Sequence, residues 1–498
     1  MLPEDDLIIT ENKENQHNDI LRANDRKGTE NHPFDLSMHD IYGNENESGA
    51  TTANSYVVNS GGWYAIPLVY GNAIKNNSVN TIAYAPEKPS DSITSFLTPF
   101  YNSMELGIKS PYIDTDLGAG NLSTWSAFPL WEDVAHGAII NDDAKQCYII
   151  DRVEAGKRNL TVNAAYIVFY VNKRTLTQGN VVLAVSNENG IVWSWHIWAT
   201  DNNLQCLDVV NYDKNTNQMM PVNLGWVEPG ESNTTVNFPG KASKIRIAQQ
   251  RGTTVAYSNE IPVQRLVHEH VNISYGDSSP LYQWGRKDPF IRGDQMEDKD
   301  IPAERYTVHN GYSVRTTGNS NKPDMKYPNN TYTDENTYKA YRNRWNAVET
   351  SQGTSAVAYQ VMPIKTIYDP CPPGFVIPQP GAFDGFMKGS GRLPFNLYDD
   401  GHPANSSGSF NKGYYLYTSK ENTETVFFPA CGFRNSGSLS STKTSGYYWT
   451  AVLLNYASTG VSGGGMFRVL GKSGDSRNGV DLKGGSFLNG FSVRPVAE

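Results

Sequence analysis

Residues 191–200 read IVWSWHIWAT. Side chains of a strand point alternately to its two faces, so this stretch presents tryptophan on both of them. One face carries Trp193, Trp195 and Ile197, and the other carries Ser194, His196 and Trp198. Because large rings on both faces must be covered from both sides, the pattern predicts a central strand of a β-sandwich.

The rest of the chain also favours strands. It contains 29 Tyr, 44 Gly and 10 Trp residues, and long runs of strong helix formers are scarce. Further strands are predicted within 55–72 and at 146–152, 164–172 and 180–185. A chain of 498 residues is too long for a single hydrophobic core, so we predict two or three domains. The first is a β-sandwich at 41–205.

The first forty residues differ from the rest because they are polar and rich in asparagine. Such a segment buries too little apolar surface to offset its ordering entropy, so residues 1–40 are predicted to be a disordered tether. Two interpretations stay open: a plain linker, or a spacer between a membrane anchor or cleavage site and the first domain. In the second, Arg22 and Arg26 are candidate processing sites.

The charge and the apolar runs exclude several classes of protein. With 42 Lys and Arg against 51 Asp and Glu, the net charge is −9, and no basic cluster suits a nucleic-acid partner. The longest apolar run, AAYIVFYV at 164–171, is much shorter than the roughly 18 residues of a membrane-spanning helix. The N-terminus MLPEDDLIIT lacks a signal-peptide pattern, so the protein is either cytosolic or a mature form without its export signal.

The second half, 206–498, reads as short strands between glycine-rich loops. One helix is expected at 335–349, with Thr333 as a candidate N-cap. The closing segment GFSVRPV is expected to pair with a strand near the start of this half. We therefore predict an α+β module after the sandwich.

Several motifs of the second half resemble the Fibrobacter-succinogenes-major-paralogous domain of Bacteroidetes surface proteins. These motifs are DPCPPGFVIP (369–378), FPACGFR (428–434), YYWTA (447–451) and NGFSVRPV (489–496). Segments resembling fimbrillin-like members with this domain are GGWYAIPLVYGN (61–72), WSWHIWATD (193–201), MMPVNLGW (219–226) and YQWGRKDP (282–289). The resemblance thus covers roughly residues 55–498, in order.

This resemblance implies a fimbrillin- or transthyretin-like sandwich followed by a C-type-lectin-like domain at 206–498. It also implies an exported protein at the cell surface, at a pilus tip or on the outer membrane, where an N-terminal lipid anchor would hold it. Its expected partners are other fimbrial subunits and a glycan or protein of a host or bacterial surface. Many relatives end in V-R-C-V, whereas this chain has Arg494-Pro495.

The motif residues themselves have mainly structural interpretations. We expect Trp449 to be a core residue, and Arg434 and Arg494 to be buried ion-pair partners. The four cysteines allow three pairings, among which the sequence does not choose. One bridge in each half, Cys147 with Cys206 and Cys371 with Cys431, is one of them, and four buried thiols are the alternative.

No catalytic motif is recognisable in the sequence, so we expect neither an enzyme nor a cofactor. His268 and His270 share a strand face but lack a third metal ligand nearby. Asp114-Thr115-Asp116 resembles only the start of a calcium loop. No metal site is therefore predicted.

The leading hypothesis is an adhesion protein, a fimbrial tip subunit that binds its ligand through loops of the second half. Tyr, Trp and Asn suit stacking on sugars and hydrogen bonding to them. The candidate contacts are Tyr332, Tyr341, Trp345, Tyr398, Asp399, Asp400 and His402. Two alternatives stay open: a structural subunit assembled by strand exchange, and an enzyme on a scaffold like the formylglycine-generating enzyme.

Overall fold

The structure is a computed structural model of the chain. It describes residues 13–91, 93, 96–135, 137–141, 143–211, 214–228, 244–245, 248–257, 261–262, 278–290, 314–315, 331–332, 342–349, 360–388, 393–394, 413–419, 424–435, 438–455, 462–471, 479–487 and 489–498. Strands account for 39% and helices for 10%, which confirms the predicted mainly β fold. None of the helices in these residues is long and apolar enough to cross a membrane.

Two four-stranded sheets organise the first half of the chain. Its strands are β1 (Phe34–Asp35), β2 (Ser55–Val58), β3 (Gly62–Pro67), β4 (Ile74–Lys75), β5 (Ser78–Val79), β6 (Ser126–Glu132), β7 (Cys147–Ile150), β8 (Tyr166–Val171), β9 (Gly179–Asn187) and β10 (Gly190–Ala199). Its helices are α1 (Lys13–Ala23), α2 (Ile113–Asp116) and α3 (Arg152–Lys157), with 3-10 helices at Leu36–Met38 and Thr81–Ala83. The sheet orders are β1-β3-β8-β7 and β2-β10-β9-β6, and β4 pairs with β5.

Strand β10 lies inside its sheet, parallel to β2 and antiparallel to β9, as expected for a central strand. Trp193, Trp195 and Trp198 on this strand are fully buried or nearly so. They share one hydrophobic core with Trp284 and Trp449 from the second half. The predicted core position of Trp449 is thereby confirmed.

The second half consists of short strands in several sheets. They are β11 (Leu207–Val210), β12 (Thr216–Met219), β13 (Lys244–Ile245), β14 (Ala248–Arg251), β15 (Thr254–Tyr257), β16 (Ile261–Pro262), β17 (Tyr282–Gln283), β18 (Val314–Arg315), β19 (Thr331–Tyr332), β20 (Phe375–Val376), β21 (Met387–Lys388), β22 (Leu393–Pro394), β23 (Gly413–Tyr417), β24 (Thr425–Pro429), β25 (Phe433–Asn435), β26 (Ser438–Ser440), β27 (Ser445–Asn455), β28 (Ser462–Leu470), β29 (Gly479–Gly485), β30 (Gly490–Phe491) and β31 (Val496–Ala497). Two 3-10 helices lie at Pro380–Ala382 and Asp384–Phe386.

The larger sheets of this half have the orders β11-β12-β31-β20, β17-β30-β25-β26 and β27-β28-β29. Strand β31 pairs with β12, which confirms that the closing segment joins a strand near the start of this half. Arg494, just before β31, is fully buried, but its guanidinium donates to neutral oxygens of Asn223, Pro221 and Phe427. These bonds take the place of the predicted ion pair.

Two compact units divide the chain, and their boundary does not fall at residue 205. One unit comprises 17–227 with 274–498, and the other comprises 1–16 with 228–273. The division into 41–205 and 206–498 stays a prediction; side chains from both ranges contribute to one hydrophobic core. In the smaller unit, β13 pairs with β16 and β14 pairs with β15.

Residues 17–40 belong to the larger unit, although the sequence predicted a disordered tether for 1–40. Leu21 on α1 is fully buried. His17 lies 2.7 Å from the carboxylate of Asp201, and Arg22 donates to a main-chain oxygen at 2.8 Å. A few buried apolar residues and specific polar bonds therefore hold a segment whose average composition is typical of disorder.

The predicted helix at 335–349 is not formed in its described part, residues 342–349. Trp345 is fully buried there, and its indole nitrogen donates to the carbonyl of Tyr368 at 3.0 Å. Tertiary contacts of this kind outweigh local helix propensity.

Buried carbonyl groups of residues 366–370 receive hydrogen bonds from side chains of the first half. Asn54 donates to two of these carbonyls at 2.7 and 2.8 Å, and Asn72 donates to two at 2.5 and 3.2 Å. Ser55 donates to one at 2.5 Å. We call these three side chains and residues 366–370 the seam. Because an unpaired buried carbonyl is costly, the seam fixes the two halves against each other.

His196 lies beside the seam and is almost fully buried. Burial lowers the pKa of His196 to about 3, so its imidazole is neutral at pH 7. Its Nε2 lies 2.8 Å from Oδ1 of Asn180, whose amide nitrogen donates to Asp133 at 2.7 Å. That oxygen can only accept, so Nε2 carries the proton and Nδ1 accepts from the hydroxyl of Tyr282 at 3.3 Å.

Replacing Asn54 by alanine removes its hydrogen bonds to two buried carbonyls of the seam, of which that of Asp369 keeps the bond from Asn72. We expect Asn54→Ala to lower the free energy of unfolding by about 1–3 kcal/mol. The exposed Asn203 provides a matched control, and Asn203→Ala should change the free energy of unfolding by less than about 0.5 kcal/mol. Urea unfolding at pH 7 measures both variants, and equal effects would contradict the role of the seam.

The buried imidazole of His196 should make the protein sensitive to acid. Its folded-state pKa of about 3 lies below the ordinary 6.5, so the unfolded state takes up this proton first as the pH falls. Between these two values, wild type should lose stability relative to His196→Gln by up to about 1.4 kcal/mol per pH unit. Urea unfolding at pH 7, 6 and 5 tests this, and a pH-independent difference would show that the group does not titrate as assigned.

Candidate functional site

Two adjoining cavities of about 310 and 320 Å³ form a polar cleft in the larger unit. The first lobe is lined by Thr51, Thr52, Asn72, Ile74, Lys75, Asn80, Met362, Pro363, Ile364, Lys365 and Glu498. The second is lined by His39, Asp40, Asn46, Thr51, Lys75, Asn76, Pro373, Gly374 and Glu498. Three residues line both lobes, so we treat them as one cleft whose walls come from both halves of the chain.

The hairpin of β4 and β5 places Lys75 where the lobes meet. Its turn residues Asn76 and Asn77 have φ angles of 52° and 60°. Two consecutive positive φ angles give the tight turn that matches strand twist, and asparagine tolerates them. Asn77 Oδ1 also accepts from the main-chain nitrogen of Ala50 at 2.8 Å, which ties the hairpin to the loop that carries Thr51.

An ion pair crosses the cleft between the lobes. The ammonium of Lys75 contacts the carboxylate of Glu498, whose other oxygen lies 3.8 Å from Lys365. Lys365 also donates to the carbonyls of Cys371 and Pro372 at 2.9 and 2.8 Å, and its side chain is only 6% exposed. The Lys75 side chain is 50% exposed. One ammonium is thus fixed in the floor, and the other lies at the mouth.

Uncharged polar side chains also line the cleft. Oδ1 of Asn72 is buried and has no hydrogen-bond partner in the described part of the chain. The Asn80 amide lies beside it and donates to the Asn72 carbonyl at 2.9 Å. In the second lobe, His39 Nδ1 donates to the carbonyl of Asp35 at 2.6 Å, which fixes the orientation of the ring.

Apolar side chains also line the first lobe, namely Ile74, Met362, Pro363 and Ile364. Among them, Ile364 is 39% exposed. A polar floor with an apolar border suits a ligand that has both hydroxyl groups and C–H surfaces.

Among the predicted ligand contacts, Trp345 lies in the core, so a ligand at the surface cannot reach its ring. Tyr332 belongs to β19, of which the backbone alone is described. The others lie outside the described residues: Tyr341, Tyr398, Asp399, Asp400 and His402.

The cysteines carry thiols instead of the two predicted bridges, Cys147 with Cys206 and Cys371 with Cys431. Cys371 is fully buried, and burial raises the pKa of its thiol, which therefore stays protonated. Cys431 Sγ accepts hydrogen bonds from buried neighbours at 3.8 Å. These contacts agree with the alternative of buried thiols that fill space in a core.

Two buried pairs resemble parts of hydrolytic sites. Ser194 Oγ lies 2.6 Å from the ammonium of Lys287, and burial lowers the pKa of Lys287 to about 8. Ser55 Oγ lies 3.0 Å from Nδ1 of His196. All four side chains are at most 1% exposed, so a substrate cannot reach them and we assign them structural roles.

The acidic pair at 114–116 also has a structural role. Asp114 forms an ion pair with Arg152 at 3.0 Å, and Asp116 accepts from the main-chain nitrogen of Lys109 at 2.8 Å. His268 and His270 lie outside the described residues. Within those residues, no three side chains of the metal-binding types lie together.

No motif in the sequence marks Lys75, Lys365 or Glu498 as site residues. The first and last of them are 423 positions apart, so no local pattern joins them. The Asn76-Asn77 dipeptide was the available signal, because it predicts a tight turn next to Lys75.

Comparisons of the chain with protein-family models, curated proteins and solved structures give no significant match. The family resemblance therefore rests on the sequence motifs.

Proposed function

We propose that this protein is an adhesion protein that binds a glycan through the cleft. The observation that carries the proposal is a two-lobed cavity lined by hydroxyl, amide, ammonium and carboxylate groups around a central ion pair. Sugar hydroxyl groups both donate and accept, so they can pair with amide, ammonium and carboxylate groups at once. The lobe volumes of about 310 and 320 Å³ fall within the range of small-ligand sites.

A glycan fits this cleft better than a folded protein partner does. The charged groups between the lobes are recessed, since the side chains of Lys365 and Glu498 are 6% and 20% exposed. A protein interface covers a broad surface, whereas a thin polymer can reach into a concave site.

The sequence motifs support a wider setting for this activity. We propose that the two first-half sheets form a fimbrillin- or transthyretin-like sandwich and that the second half is a C-type-lectin-like module. In this proposal the protein is exported to the cell surface, at a pilus tip or on the outer membrane through a lipid anchor. Other fimbrial subunits are its partners there.

Filling the first lobe should abolish glycan binding. Ile364 lines the lobe and is 39% exposed, so Ile364→Trp should block the cleft and leave the core intact. Val153 on α3 is 69% exposed and does not line the cleft, which makes Val153→Trp a matched control. We expect at least about tenfold weaker binding for Ile364→Trp, on an array of surface glycans, and no change for Val153→Trp.

Thermal unfolding of both variants establishes that they are folded. If wild type binds a glycan and Ile364→Trp binds it equally well, the glycan site lies elsewhere and the role of the cleft is wrong.

A further inference from the structure

We infer that the cleft recognises an acidic glycan, with the carboxylate of one sugar residue held in the first lobe and a neutral sugar in the second. This inference rests on the proposed glycan binding and names the class of ligand. It follows from how the charges divide between the two lobes.

The first lobe is the one that both lysines line. Its charged lining residues are Lys75, Lys365 and Glu498. The whole chain, by contrast, has a net charge of −9. Two ammonium groups in one lobe of an acidic protein favour an anionic group of the ligand there.

The geometry leaves Lys75 able to bind a second carboxylate. Its ammonium has three protons and one bonded partner in the described part of the chain, Glu498. Half of its side chain is exposed, so it can turn toward a ligand without disturbing the core. Lys365 cannot turn, because two carbonyl groups hold it, and it continues to neutralise Glu498 when Lys75 shifts.

The second lobe has more acidic side chains than lysines in its lining. Asp40 and Glu498 face Lys75 there, and the remaining polar lining consists of neutral side chains and His39. A second carboxylate in this lobe would meet two acidic groups, whereas a neutral sugar would donate hydroxyl protons to them. The cleft therefore suits a disaccharide in which an acidic residue adjoins a neutral one.

The test uses isothermal titration calorimetry of the full chain with a panel of oligosaccharides that alternate uronic acid and neutral sugar. Each member is paired with its carboxyl-reduced twin, in which the acid has become an alcohol. Wild type should bind an acidic member at least about tenfold more tightly than its reduced twin, and added salt should weaken that preference.

Variants at two lysines test whether Lys75 causes the preference for the acidic oligosaccharide. Lys75→Gln should lower the ratio of the two affinities, acidic member over reduced twin, about tenfold, whereas Lys75→Arg should keep this ratio. Lys157→Gln, at a lysine whose side chain is 71% exposed outside the cleft, makes the same change in charge and should alter neither affinity.

Different results would contradict the carboxylate inference and the proposed glycan binding. If acidic members and reduced twins bind equally, and Ile364→Trp abolishes both, the carboxylate inference is wrong and glycan binding in the cleft stands. If no member of either series binds, both the inference and the proposed function of the cleft are overturned.

Discussion

The hydrogen bonds across the seam are the constraint on which the rest of the structure depends. Residues 366–370 follow no regular ladder, yet their carbonyls are buried and must be paired. Asn54, Ser55 and Asn72 supply the donors from the other half of the chain. The cleft opens beside these bonds, and Asn72 belongs to both, so the contact that joins the halves also fixes the distance between the walls of the binding site.

The interior and the cleft use polar groups in different ways. In the interior, His196 is neutral and its hydrogen bonds are satisfied by fixed partners, which suits a structural role. In the cleft, Lys365 is held by two main-chain carbonyls, whereas Lys75 is half exposed. A rigid floor with a half-exposed ammonium at the mouth is preorganised for binding.

Local patterns predicted the mainly β fold, the central position of β10, the buried Trp449 and the pairing of the closing segment. They did not predict the seam, because Asn54 and its carbonyl partner Ile367 are 313 positions apart and neither has a distinctive neighbourhood. Composition also misjudged residues 17–40, where the buried Leu21 and Leu36 and a few polar bonds hold the segment. The alternation of side chains along a strand follows from neighbouring residues, whereas the hydrogen-bond partners of residues distant in the chain do not.

Native-state hydrogen exchange at increasing urea concentration tests most directly whether the two halves form one cooperative unit. The amides of β8 in the first half and β27 in the second are the probes. The account predicts that both exchange through the same global opening, with one free energy and one dependence on urea. If β27 loses protection at lower urea than β8 does, the halves unfold separately, and the seam does not hold them together.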